Sequence, residues 1–164
     1  MQQYLKKNAA HVMIDAGGID MKISTKGRYA MRMMLDIAQN QSEGFVTLKD
    51  IAKRQVISKK YLEQIALQLS QASALRAVRG HQGGYRLTRD PAEYTVLEIL
   101  RIAEGSLAPV ACLEQQPNLC ERCEFCQTLP LWTSLARVIE NYLGSITLQD
   151  VLDGKLPPVA PAES

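Results

Sequence analysis

The fold is decided by residues 46–88, which read VTLKDIAKRQVISKKYLEQIALQLSQASALRAVRGHQGGYRLT. Thr47, with Asp50 three residues later, resembles a capping box that opens a short helix through Arg54, and Ser58 caps a second helix. Apolar residues of the second helix recur at i, i+3, i+4 and i+7, namely Leu62, Ile65, Ala66 and Leu69. Two short helices joined by a tight connection predict a helix-turn-helix.

A β-hairpin is predicted directly after the helix pair. Residues 75–79 alternate as a strand does, residues 80–84 are rich in glycine, and residues 85–88 form a second strand. Glycine supplies the positive φ angles that a hairpin turn requires. Such a hairpin is the wing of a winged helix, so the predicted fold class is mainly α with a small β-hairpin wing.

Helices are predicted on both sides of this unit. Apolar spacings of three and four predict a helix over residues 25–39, and Thr95 with Glu98 opens another through residue 104. A long C-terminal helix over residues 129–143 carries an unbroken apolar stripe, formed by Trp132, Leu135, Ala136, Ile139, Tyr142 and Leu143. This stripe either packs internally or pairs with its copy in a homodimer.

The chain divides into four predicted regions. They are a flexible leader (1–20), a winged helix-turn-helix DNA-binding domain (21–90), a cysteine loop with the dimerisation helix (91–153) and a disordered tail (154–164). The longest run without a charged residue is 12 residues, whereas a membrane-spanning helix needs about 20 apolar residues. With no secretory signal recognised either, we expect a cytoplasmic protein without a membrane partner.

Charge is distributed unevenly along the chain. Residues 21–90 hold 13 Lys and Arg against 5 Asp and Glu, whereas the remainder holds 6 against 12. Because Lys and Arg that neutralise phosphates release condensed counterions, a basic first half indicates a polyanion partner such as double-stranded DNA. An ordinary solvated surface is the alternative.

The second helix of the pair offers candidate DNA contacts at its N-terminus, because a recognition helix places those residues in the major groove. The candidates are Ser58, Lys59, Lys60, Glu63 and Gln64. We expect the two lysines to contact phosphates, Glu63 either to accept from a cytosine amino group or to pair with a lysine, and Gln64 to read adenine. Tyr61 is expected to join the two helices.

Three arginines complete the candidate interface. Arg79 and Arg86 flank the hairpin glycines, where a thin tip suits insertion into the minor groove, with plain solvation as the alternative. Arg28, in the first helix, either contacts the DNA backbone or is solvated. No nucleophile–base pair, P-loop or dinucleotide fingerprint is present, so the sequence does not predict an enzyme.

The cysteines form one cluster with the spacing C-x7-C-x2-C-x2-C, at Cys112, Cys120, Cys123 and Cys126. Clustered thiols in a reducing compartment hold metal or act in redox sensing more often than they form disulfides. The pattern suits an iron-sulfur cluster (2Fe-2S or 4Fe-4S), with a zinc site or a redox switch of free thiols as alternatives. A small zinc or iron-sulfur carrier that docks to an acidic partner is therefore the rival to a regulator.

Several motifs in order resemble the bacterial winged-helix regulators of the Rrf family, which includes IscR, NsrR and CymR. They are residues 21–30 (MKISTKGRYA), 61–64 (YLEQ), 78–80 (VRG), 83–85 (GGY), 131–132 (LW) and 146–148 (ITL). The resemblance covers residues 21–153. It implies a homodimeric transcription regulator that binds a palindromic operator, with the long helix as dimer interface and with Glu63 and Arg79 at groove-contacting positions.

The resemblance also implies an iron-sulfur cluster held by Cys112, Cys120 and Cys126, since cluster-bearing members use three cysteines in this loop. Two departures concern the fourth ligand. The histidine that IscR-like members place three residues after the last cysteine is Leu129 here, and the acidic residue that NsrR-like members use in the first helix falls near Arg28. Cys123 is the natural candidate for the fourth ligand, with Glu121 or Glu124 as alternatives.

Overall fold

The computed structural model describes residues 23–80 and 83–158 of the chain. Within these ranges the main elements are α1 (Thr25–Asn40), α2 (Leu48–Gln55), α3 (Lys59–Gln71), β1 (Leu75–Val78), β2 (Gly84–Leu87), α4 (Val96–Glu104), α5 (Leu129–Gly144) and α6 (Leu148–Asp153). Short 3-10 turns lie at Gln41–Glu43, Pro91–Glu93, Ala111–Leu113 and Cys123–Phe125. The predicted leader (1–20) and the end of the predicted tail (159–164) lie outside the described residues.

The helix-turn-helix begins at the predicted capping residues. Thr47 Oγ1 accepts from the Asp50 amide at 3.2 Å, and Ser58 Oγ accepts from the Tyr61 amide at 3.2 Å. Each bond satisfies an amide that the first turn of a helix leaves free. Val56, between the two helices, adopts a left-handed conformation (φ 54°) that reverses the chain and is uncommon for a β-branched residue. The predicted helix pair is therefore confirmed.

The hairpin is an antiparallel pair in which Leu75 lies opposite Leu87 and Arg76 lies opposite Arg86. Its strands differ from the predicted ones by one residue: β1 ends at Val78, and β2 begins at Gly84. Gly80 has a φ of 115°, which explains why the turn needs glycine there. The mainly helical winged fold is confirmed, and Arg79 belongs to the turn instead of the strand.

Helix α1 lies at the centre of the core. Its residues Ala30, Met33, Met34 and Ile37 are fully buried, and it packs against α2, α3 and β2 as well as against α4 and α6. Buried residues of later elements, Tyr94, Ile99, Ala103 and Leu148, belong to the same cluster. Helices α4 and α6 therefore share one core with the winged helix. None of the described helices has the length and apolar character needed to cross a bilayer.

A single carboxylate joins the end of α4 to the start of α1. Glu104 Oε1 accepts from the Ser24 amide (2.9 Å), the Ser24 hydroxyl (2.8 Å) and the Gly27 amide (3.0 Å). A negative charge at a helix N-terminus is favourable because the free amides there carry partial positive charge. A Cβ atom at Gly27 would lie 2.2 Å from this oxygen, so only glycine fits without displacing the carboxylate.

We expect Gly27→Ala to destabilise the fold by about 1–3 kcal/mol, because the new methyl group overpacks this junction. Gly144→Ala in α5 is the matched control, since a Cβ there meets Leu97 at an ordinary 3.5 Å. Alanine at that position is expected to leave stability unchanged or to raise it by up to about 1 kcal/mol. Urea unfolding measures both variants, and equal midpoints would contradict the close contact.

Candidate nucleic-acid interface and cysteine loop

Helix α3 separates a buried face from an exposed polar face. Leu62, Ile65, Ala66 and Leu69 are buried in the core, as predicted. At about 100° per residue, the exposed side chains lie within an arc of about 140° on the other side of the helix. They are Lys59, Lys60, Glu63, Gln64, Leu67 and, at the end of the helix, Gln71. The structure thus brings the predicted recognition residues together on one surface, with the exposed cap Ser58 at its edge.

Leu67 is a candidate contact that the sequence analysis missed. It is 58% exposed and lies near the middle of the polar face, one turn beyond Glu63 and Gln64. An exposed apolar side chain on such a face can contact the methyl group of thymine. Its position outside the buried stripe of α3 was the available signal.

Glu63 is ion-paired in the described structure. Its Oε1 lies 3.6 Å from Lys59 Nζ, and both side chains are more than half exposed. An exposed pair at this spacing contributes little stability, so DNA can separate it at small cost. The pairing with lysine is therefore the arrangement of the protein without DNA.

The recognition helix is also fixed against α1 through an aromatic contact. The rings of Tyr61 and Tyr29 meet edge to face with their centroids 5.5 Å apart. An edge-to-face pair is favourable because it places a positive ring edge against a negative ring face. Tyr61 therefore packs between helices, but the helix that this contact joins to α3 is α1, outside the predicted pair.

A buried carboxylate connects α1 to the end of α2. Asp36 is 2% exposed and accepts from Arg54 Nε (3.0 and 3.2 Å), Arg54 Nη2 (2.6 Å) and Gln55 Nε2 (2.9 Å). This bonding raises the pKa of the Arg54 guanidinium above its ordinary value. Arg32 donates to both oxygens of Gln55. The polar network holds the last turn of α2, immediately before the turn that leads to α3.

The predicted wing arginines are exposed. Arg79 lies in the turn beyond β1, and Arg86 lies on the outer face of β2. Arg28 is also exposed, and its Nη2 donates to Thr25 Oγ1 at 3.1 Å within its own helix. His81 and Gln82, at the tip, lie outside the described residues.

The four cysteines lie on the loop between α4 and α5, as free and half-buried thiols. Within the described part of the chain, no three His, Cys, Asp or Glu side chains gather closely enough to hold a metal ion. The Cys123 amide donates to the Cys120 carbonyl at 3.0 Å, which forms a tight local turn. Hydrogen bonding with Thr128, whose hydroxyl lies 3.4 Å from Sγ, lowers the pKa of the Cys126 thiol.

Helix α5, which follows the loop, has no fully buried residue. Its predicted apolar stripe is only partly covered. Leu143 is one covered residue, which packs against the small cluster of Val96, Leu100 and Ile146. Further apolar residues on α5 remain exposed, namely Leu131 (59%), Val138 (61%) and Tyr142 (40%). The apolar surface of this helix is therefore wider than the stripe predicted from the sequence.

A helix-turn-helix with an exposed polar recognition face and a glycine-turned wing defines the class of winged-helix DNA-binding regulators. The chain belongs to the Rrf2 family: the family model, described as an iron-dependent transcriptional regulator, matches residues 23–154. It is 39% identical to protein rrf2 of Nitratidesulfovibrio vulgaris, over 84% of this chain and 92% of that protein.

Two solved structures extend the comparison. IscR of T. potens superposes with a TM-score of 0.64 at 40% identity, covering 81% of this chain and 87% of that one. CymR, the global cysteine regulator of B. subtilis, gives a TM-score of 0.66 at 35% identity, covering 81% and 97%. The chain is therefore a transcriptional regulator and not an enzyme, and this class is favoured over a small carrier.

We expect Asp36→Asn to lower the free energy of unfolding by about 1–3 kcal/mol, because the amide places a donor against Arg54 and Gln55. Operator affinity should also fall under conditions where the variant is folded, since the end of α2 loses its anchor. Glu43→Gln, an exposed residue that also loses one negative charge, is the control. Wild-type stability and affinity in Asp36→Asn would contradict the anchoring role.

Proposed function

We propose that the protein is a homodimeric transcription regulator that binds a palindromic operator and whose binding depends on an iron-sulfur cluster in the cysteine loop. The observation that carries the DNA-binding part is the division of α3 into a buried apolar face and an exposed polar face. A helix with this division can lie in the major groove while its back remains fixed in the core.

The dimer part of the proposal is supported by two adjacent apolar strips on α5. Around the helix axis, Trp132, Ala136, Ile139 and Leu143 form one half-buried strip beside α4. The second strip, more exposed overall, consists of Leu131, Leu135, Val138 and Tyr142 at spacings of four, three and four. This alternation is that of a helix–helix seam, so the second strip suits a second copy of α5.

The two halves of the regulator are separable by mutation. We expect Val138→Glu to yield a monomer with unchanged helix content and weaker operator binding. The two new carboxylates, one on each α5, would lose hydration and repel each other in the dimer interface. Arg79→Ala is expected to remain a dimer, to bind more weakly and to show a smaller dependence of log K on log salt. Sedimentation velocity measures the oligomeric state. Titration of a duplex operator that has been selected in vitro with the wild-type protein measures DNA binding.

The control for the seam is Asn141→Glu, which adds the same charge at an exposed position away from both strips. It should remain a dimer. A dimeric Val138→Glu variant would contradict the α5 interface. If the wild-type protein is not retained on duplex DNA at any salt concentration, the regulator is contradicted and the carrier is favoured.

The residues of the loop fit an iron-sulfur cluster by their donor chemistry. Four free thiols lie within one segment, and the turns at Ala111–Leu113 and Cys123–Phe125 are closed by local backbone bonds. Cys112, Cys120 and Cys126 would hold the iron, with Cys123 as fourth ligand, and a carboxylate of Glu121 or Glu124 as the alternative. A bound cluster supplies redox chemistry, with a potential set partly by its solvent exposure. Zinc held by the same thiolates is the second candidate.

We expect protein purified without oxygen to absorb visible light and to contain iron and sulfide. Cys112→Ala should lose that absorption, because one iron ligand is removed. Cys123→Ala tests the fourth ligand: loss of the cluster identifies the thiolate, and retention identifies another donor. Colourless wild-type protein that contains zinc would overturn the iron-sulfur assignment in favour of the zinc site.

A further inference from the structure

The outer face of the hairpin carries two arginines directly opposite each other. We propose that Arg76 and Arg86 together clamp one backbone phosphate of duplex DNA, beside the minor groove that the wing tip enters. This inference rests on the proposed function, and it adds Arg76, which neither the motifs nor the recognition surface singled out. The occupant is the sugar-phosphate backbone instead of a base edge.

The strand register places the two guanidinium groups on one face. Arg76 pairs with Arg86, one position from the Leu75–Leu87 pair, whose side chains are buried. Side chains of successive residues alternate between faces, so both arginines point away from the core, and both are exposed. Like charges directly opposite each other in a sheet are destabilising. Their pairing therefore costs stability unless an anion lies between them.

No carboxylate of the described chain forms an ion pair with Arg76 or Arg86. Arg76 and Arg86 line an open groove of about 750 Å³ together with Phe45, Asp90 and Glu93. The two carboxylates cap a turn: Asp90 Oδ1 accepts from the Ala92 amide, and Glu93 Oε2 accepts from the Asp90 amide. Neither lies within 4.0 Å of a nitrogen of Arg76 or Arg86, which form no ion pair with any described residue.

The third arginine of the groove is already engaged. Arg89 forms an ion pair with Glu98, and its guanidinium lies 4.2 Å from the centroid of the Tyr94 ring. The free positive charge of the groove therefore belongs to Arg76 and Arg86. Their Cβ atoms are about 5 Å apart in such a register, so both side chains can reach one phosphate.

The position along the strand selects DNA as the source of the phosphate. Arg76 precedes Arg79 by three residues, so it lies about 10 Å behind the turn along the strand. The minor groove is only about 6 Å wide, so a tip inserted there has a sugar-phosphate strand close to each side. The outer face of the hairpin then lies beside one of these strands.

The test uses Arg76→Ala, Arg86→Ala and the double variant, with Arg137→Ala on α5 as the control for loss of one exposed positive charge. The probe is a duplex operator selected in vitro with the wild-type protein. Each single variant should bind about tenfold more weakly per protomer at low salt, and therefore about a hundredfold more weakly as a dimer, since a charged hydrogen bond contributes on the order of 1.4 kcal/mol. The slope of log K against log salt should fall by about one unit per protomer.

Two further readouts separate a clamp from a structural role. The thermal midpoint of each variant should stay unchanged or rise, because a repulsion is removed. Operators with single neutral methylphosphonate linkages should identify one phosphate in each half-site whose neutralisation weakens the wild type but not Arg76→Ala. Agreement of both readouts supports the clamp.

Three results would overturn it: variants that bind as Arg137→Ala does, weaker binding accompanied by a lower thermal midpoint, or stabilisation of the wild type by inorganic phosphate without any change of DNA affinity in the variants. The last result would mark a site for small anions. If the wild type binds DNA in a salt-dependent manner and the Arg76 and Arg86 variants bind no more weakly than Arg137→Ala does, the regulator stands and the clamp is wrong. If the wild type does not bind DNA, both proposals fall.

Discussion

The burial of α1 is the constraint on which the rest of the structure depends. Its fully buried residues contact the helix-turn-helix on one side and α4 and α6 on the other. Separating either group of helices from α1 would therefore expose apolar side chains of α1 to water. Burying four such side chains contributes several kcal/mol, on the order of 1.5–3 kcal/mol for each large one. The helix-turn-helix and the elements that follow it therefore fold as one unit around this helix.

Two carboxylates fix the orientation that apolar packing leaves free. Glu104, the last residue of α4, holds the N-terminus of α1, and Asp36, in the C-terminal half of α1, holds the last turn of α2. Apolar contacts are non-directional, whereas these hydrogen bonds specify distance and angle. The N-terminus of α1 is thus hydrogen-bonded to the residue that precedes the cysteine loop, and its C-terminal half is hydrogen-bonded to the end of α2 in the helix-turn-helix.

The sequence predicted features whose causes are local and missed those whose causes are distant. The caps at Thr47, Ser58 and Thr95 were predictable because each side chain bonds an amide three residues away. Asp36 and Arg54 are 18 residues apart, and Glu104 and Gly27 are 77 apart. No spacing rule links such pairs, because their contact exists only after helices pack. The exposed strip of α5 was predicted only in part: Leu135 and Tyr142 belong to the predicted stripe, whereas Leu131 and Val138 do not. Which side of α5 is covered by α4 is a property of the folded chain.

The cysteine loop is the backbone connection between α4 and α5, and α4 also packs directly against α1. The Gly105 amide bonds back to α4 at one end of the loop, and the Leu129 amide bonds to the Cys126 carbonyl where α5 begins. Under the proposed function, a ligand that draws the thiols together acts on both ends at once. Such a ligand changes DNA affinity if it favours one conformation of the protein over another. Glu104 immediately precedes the loop and accepts from the Gly27 amide, so it links the start of the loop to the helix that packs against α2 and α3.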